Sequence, residues 1–163
     1  VLYPADMVLD RTHQIALSII HDSLDERPVF FASSGGMMRQ LGLNRWGVRH
    51  GLAVKLEMRN LDASPQEGWI QGSPEYGAEW YDVQISLELY QNVYEFRGIK
   101  SRPIWQDRST LNIPWQYYAM TLQLSDVARA AGVPEEEVGI LEDDAENFQI
   151  VAQGGARGTP GGS

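Results

Sequence analysis

The strongest constraint on the fold lies in Leu52–Met58, where Leu52, Val54, Leu56 and Met58 alternate with Ala53, Lys55 and Glu57. A period of two is the signature of a strand with one buried face. A second strand is predicted over Val29–Ala32, a short apolar run entered through Pro28. Phe30 and Leu56 are expected in the core that these two strands share. Between them the chain must turn. Gly35, Gly36, Gly42 and Gly47 supply permissive backbone for this, and Met37, Met38 and Leu41 form the inward side of a short helical turn.

Upstream, Pro4 suits a first helical turn and Asp6 favours its dipole. Val8, Ile15, Ile19, Ile20 and Leu24 then recur at roughly helical spacing. Downstream, Pro65, Gly68, Gly72, Pro74 and Gly77 interrupt the chain around Trp69, Ile70, Tyr76 and Trp80, which predicts a long aromatic loop over 61–81. From Asp82 to about Arg97, Val83, Leu87, Tyr90 and Tyr94 make a helical stripe. Val83, Ile85, Leu87 and Leu89 would serve a strand equally; helix is the reading, stopped by Gly98, with 100–107 as a connector. A helical pair is expected over 108–152. Trp115, Tyr118, Leu122 and Val127 mark the first apolar face, Gly132 the break, Pro134 and three glutamates the restart, and Val138, Leu141, Ala145 and Phe148 the second face. The Gly- and Pro-rich residues 153–163 predict an extended tail without structure of its own. The expected fold is α+β: a small sheet covered by an N-terminal helix, then a helix-rich C-terminal half ending in a helical hairpin and the tail. Residues 1–152 are read as a single domain.

Composition narrows function. The 163 residues are 43% hydrophobic, enough for a sizeable core, and contain no run of eighteen apolar residues. The absence of cysteine removes disulfides, thiolate zinc sites and a cysteine nucleophile. No Asn precedes x-Ser or x-Thr, so there is no N-glycosylation acceptor. Through Asn60, seven basic residues face six acidic ones, whereas from Leu61 onward six face sixteen. Such a chain repels polyanions, and no nucleic-acid partner is expected. The start at Val1 rather than Met suggests a processed piece or part of a longer protein.

Catalytic and metal signatures are weak. His13 and His21 lie about twelve ångströms apart by helical rise, with leucine between them at position 17. Ser33-Ser34-Gly35-Gly36 lacks the patterns of a nucleophile elbow or phosphate loop and reads as a turn. Arg45, Arg49, His50 and Lys55 form a small basic cluster, read as outward residues around a strand that can also meet lipid headgroups or an acidic partner. Glu135, Glu136, Glu137, Glu142, Asp143, Asp144 and Glu146 lack the layout of a calcium loop and read as a solvated helix face. No catalytic residue, cofactor or metal is therefore expected. The aromatics remain, since Trp and Tyr dominate interface hot spots. Trp69, Ile70, Tyr76, Trp80 and Tyr81, together with Arg157 and Pro160 of the tail, are the candidate partner interface.

Several segments occur in a recognisable order: Asp6–Asp10 leading a helix, Arg27-Pro-Val-Phe-Phe-Ala, Leu41-Gly-Leu, Gly51-Leu-Ala-Val-Lys-Leu, a Tyr-rich helix and a helical pair. Spanning Ala5 to about Ala131, this order resembles the C-terminal region of a bacterial family of multi-spanning membrane proteins similar to protein O-mannosyltransferases, catalogued as a domain of unknown function. The resemblance implies a soluble extracytoplasmic region. The acidic catalytic motif and the membrane spans of such enzymes have no counterpart in this sequence, so it implies a location and an origin rather than an activity.

The expected function is a non-catalytic, periplasmic structural subunit, peripheral to the inner membrane and docked on a larger membrane protein complex such as a respiratory or photosynthetic assembly. Its partners would be the subunits of that complex, with peripheral contact to the membrane surface and no small-molecule substrate. The alternative is an accessory domain of an O-mannosyltransferase-like enzyme that binds glycan or acceptor.

Overall fold

The computed structural model describes residues 9–32, 36–63, 65–74, 79–96, 98–100 and 110–153. The chain divides into two compact units, 1–86 and 87–163, within a region read from sequence as one domain. The first holds a mixed sheet and the second a helical pair, an α+β composition with the N-terminal helix and C-terminal hairpin in the expected places. Pro4, Asp6, Val8, Ser33, Ser34, Gly35, Tyr76, Arg157, Pro160 and nearly all of the tail lie outside the described residues.

In the first unit, α1 (Arg11–Ser23) begins at Asp10, whose carboxylate accepts the His13 backbone N–H at 2.9 Å. Leu9, Ala16, Leu17, Ile20 and Leu24 pack onto a core of Met38, Leu41, Leu43, Val54 and Leu56. The helix thus covers one sheet face as expected, but on a rotated stripe: Ile15 and Ile19 are exposed. A helix apolar on several sides leaves its orientation to the packing partner.

The sheet order is β1-β3-β2-β5-β4, from β1 (Phe30–Ala32), β2 (Gly47–His50), β3 (Ala53–Leu56), β4 (Trp69–Gln71) and β5 (Trp80–Asp82). The two predicted strands pair antiparallel, with Phe31 opposite Val54. Between them, α2 (Gly36–Gln40) is the expected helical turn. It ends in a Schellman motif: Gly42 has φ +64°, and the N–H groups of Leu43 and Gly42 reach the carbonyls of Met38 and Arg39. Strand β2 has no signature in the sequence, because Arg49 and His50 break its apolar pattern. Gly47 serves close packing in that strand rather than a turn: a Cβ there would lie 2.5 Å from the Met38 methyl carbon. The two-residue turn Gly51–Leu52 joins β2 to β3, with Gly51 at φ +57°.

The expected loop over 61–81 is corrected: β4 and β5 lie largely within it and pair antiparallel, while β5 runs parallel to β2. Three-residue strands flanked by glycine and proline are too short to establish a period of two. Their backbone bonds are completed by neighbouring strands rather than by local pattern. Helix α3 (Val83–Glu88) follows and continues as a π-helical turn over Leu89–Val93, matching the helical reading. The division between the units falls inside α3.

The second unit is dominated by α4 (Asn112–Ala130) and α5 (Glu135–Ala152). Gly132, at φ +79°, closes α4 with a second Schellman motif, in which the Val133 and Gly132 N–H groups reach the Ala128 and Arg129 carbonyls. Val138, Leu141, Ala145 and Phe148 are all buried, as their spacing predicted. The α4 face is rotated: Trp115 is exposed, while Met120, Thr121, Leu124, Ser125, Val127 and Ala128 are buried. Buried Thr and Ser hid this stripe from a purely apolar reading. Ser125 satisfies its hydroxyl by donating to the Leu122 carbonyl at 2.8 Å.

Candidate functional site

Side chains alternate across a strand, so register assigns each sheet residue to a face. Arg49, Val54, Phe31, Tyr81 and Ile70 share the face that bears Leu56 and the α1 core. Phe30, Val48, His50, Ala53, Lys55, Trp69, Trp80 and Asp82 share the other. The predicted interface is therefore split: Trp69 and Trp80 lie on the second face, whereas Ile70 and the buried Tyr81 point the opposite way.

On the second face, Val48, Leu61 and Trp69 form a small buried cluster against which Trp80 packs. Both indole N–H groups are anchored. Trp69 Nε1 donates to Asp82 Oδ2 at 3.0 Å, and Trp80 Nε1 donates to Asp62 Oδ1 at 3.1 Å. The Arg59 guanidinium lies 5.7 Å from the Trp69 ring centroid, and Arg45 is 3.6 Å from Asp62. Asp82 also caps α3 by accepting the Ile85 N–H at 3.0 Å, fixing the carboxylate that holds Trp69. Two rings are thus held in place by carboxylates, one buried and one half-exposed.

The same face carries Phe30, 49% exposed, with its ring edge-on to His50 at 6.0 Å. Phe30 is consequently not the core residue that its apolar run suggested, because neighbours in a strand face opposite ways and Phe31 takes the inner position. His50 is half-buried and its Nε2 has no hydrogen-bond partner among the described residues. Desolvation holds its pKa below the ordinary value, partly offset by Asp82. Lys55 lies 2.8 Å from Glu57.

The basic cluster is also divided. Arg49 is on the α1 side, buried, and donates from Nε at 2.8 Å and Nη2 at 2.5 Å to Glu79 Oε2. Its guanidinium lies 5.9 Å from the Tyr81 ring centroid. Ser86 Oγ accepts the Gly51 N–H at 3.0 Å and donates to the Arg49 carbonyl at 3.3 Å, pinning the β2–β3 turn to α3. Arg49 is thus a buried structural cation rather than an outward one.

Of the remaining histidines, His13 Nε2 meets Gln40 Oε1 at 3.1 Å and its Nδ1 lies 3.1 Å from Asp10, while His21 is exposed beside Asp22. No group of three or more metal-ligating side chains occurs among the described residues.

In the helical unit, Asp144 departs from the expected solvated acidic face. It accepts from the Tyr90 hydroxyl and pairs with Lys100 Nζ at 2.5 Å. Burial, then the hydrogen bond to Asp144, push the Tyr90 pKa above its ordinary range. A spacing signal exists for this site: Asp144 stands three residues after Leu141 and four before Phe148, on the buried stripe of α5. Its charge obscured that position.

No family model, curated protein or solved structure matches the chain.

Proposed function

We propose that the protein is a non-catalytic interaction subunit that docks through the Phe30–Trp80 sheet face. The observation that carries this reading is that Phe30, which is exposed, and Trp80, which is partly buried with its indole held by Asp62, stand on one sheet face, on β1 and β5 with β3 and β2 between them. Rings fixed before binding lose little freedom on docking, which is the behaviour of an interface anchor. No helix among the described residues is long and apolar enough to cross a membrane. Together with the resemblance noted in the sequence, this supports periplasmic placement on a larger membrane protein complex, derived from a membrane glycosyltransferase-like protein. The second reading, an accessory glycosyltransferase domain, is favoured by the same Trp80, since an anchored indole beside a carboxylate can stack on a sugar ring and bond its hydroxyls.

The test is co-purification from detergent-solubilised native membranes with Phe30→Ala/Trp80→Ala. Loss of partner subunits, with the circular dichroism spectrum unchanged, is expected; undiminished co-purification refutes docking through this face. Trp69 is unsuitable for the test because it is buried. Glycan titration followed by tryptophan fluorescence addresses the second reading, and the intact mass of the native protein shows whether membrane spans precede Val1.

A further inference from the structure

The Lys100 ammonium sits in a built enclosure. Its Nζ lies 4.8 Å from the Phe96 ring centroid and 5.4 Å from that of Phe148, in range for attraction to both ring faces. The Asp144 carboxylate closes a third side at 2.5 Å. These walls do not depend on Lys100. Phe96 packs against Phe148 at 5.2 Å, Tyr117 braces both rings at 5.3 and 5.4 Å, and Tyr90 fixes the carboxylate through its hydroxyl. Phe148 and Asp144 come from one face of α5, four residues apart. Lys100 comes from the short turn Gly98–Lys100, and its side chain keeps 33% exposure against 16% for Asp144, so the cation retains a path to solvent.

We propose that Asp144, Phe96 and Phe148 form a cage for an alkylammonium group, occupied here by the chain's own Lys100 and open to the same group from outside. Two aromatic faces and one carboxylate are the recognition chemistry of such a cation. A carboxylate sheltered from water needs a counter-charge, which makes an emptied cage selective for a replacement. A free amine and a lysine side chain of a partner protein carry the same group. This inference is independent of docking through the Phe30–Trp80 face, which lies in the other unit.

The experiment uses the full chain carrying Lys100→Ala. n-Butylammonium, which carries the removed ammonium on one carbon more than the three removed, should raise its thermal midpoint and bind with a dissociation constant on the order of millimolar. Sodium chloride at equal ionic strength and neutral n-butanol should do neither. If the variant does not fold alone, the same comparison is made during refolding, where recovery with n-butylammonium is expected. Adding Asp144→Asn should weaken binding by at least about tenfold. Absence of rescue, or rescue equalled by salt or butanol, overturns the proposal.

In the unaltered chain, the Phe96 and Phe148 ring resonances should shift with n-butylammonium and with an end-capped lysine peptide. Tighter binding of the peptide assigns the site to a partner's lysine, and equal affinity assigns it to small amines. No shift with either overturns the claim that the cage is open.

Discussion

The sheet unit and the helical unit each withdraw a carboxylate from solvent, and they satisfy it differently. Glu79 is held by two nitrogens of a single guanidinium that is itself buried, so each charge depends on the other. Asp144 has two unlike partners, a neutral hydroxyl and an ammonium that is one-third exposed and faces two rings. In the first arrangement each charge has the other as its one ionic partner among the described residues. The second can lose one partner and keep another, which suits a site whose occupant changes.

The sharpest way to break this comparison is to remove Glu79. Glu79→Ala strands Arg49 in the sheet and should cost about 3–5 kcal/mol, read by urea denaturation of the full chain. Replacing both members, Arg49→Met with Glu79→Leu, should restore most of that loss, because an apolar pair of similar volume has no desolvation penalty. A single variant no less stable than the double would show that the pair is not isolated as its burial implies. Asp144→Asn should cost less, about 1–3 kcal/mol, since Lys100 can turn to water and the amide oxygen still accepts from Tyr90. Equal losses from Glu79→Ala and Asp144→Asn would erase the distinction.

The same contrast explains what the sequence made legible. α5 is legible residue by residue because eighteen residues repeat one period often enough to fix the buried stripe, and Val138, Leu141, Ala145 and Phe148 all fall on it. β3 is legible for the same reason. β4 and β5 are not, because three residues contain too little pattern and their pairing depends on chain far away in sequence. The sites were less legible than the elements. Arg49, Glu79 and Asp144 look solvated in a list of charges, and only the register of β2 or the phase of α5 reveals their burial. Trp69 and Trp80 share one sheet face, whereas strand alternation sends Ile70 and Tyr81, which the sequence groups with them, to the other.

Tyr90 gives a weaker and more specific test of the helical arrangement. Its phenol is desolvated and bonded to a carboxylate, so the folded state retains the proton after an unfolded tyrosine would release it at about pH 10. Above that pH the folded state binds more protons than the unfolded one, and stability must fall as pH rises. Tyr90→Phe should be less stable at neutral pH but show a shallower alkaline decline. Ultraviolet titration should find one late-ionising tyrosine fewer in the variant. An unchanged titration would place Tyr90 in water.

The smallest effect is expected at His50, the counterpart group on the open sheet face. Its pKa is lowered mainly by desolvation, so the folded state favours neutral imidazole. In the window below the ordinary value of 6.5, the unfolded chain binds the proton more readily than the folded one. Stability is therefore full above that value and declines as pH falls toward the folded-state pKa. The loss is modest because the ring is only half-buried and Asp82 favours the charged form. Two-dimensional NMR of the imidazole should show His50 titrating below the ordinary histidine value of 6.5, and His50→Gln should flatten the stability profile in this window. Because Phe30 packs edge-on to the ring, its resonances should move with the same midpoint. A midpoint for His50 at or above the ordinary value of 6.5 would mean that solvent reaches Nε2, and the sheet face would then be more open than its unpartnered nitrogen indicates.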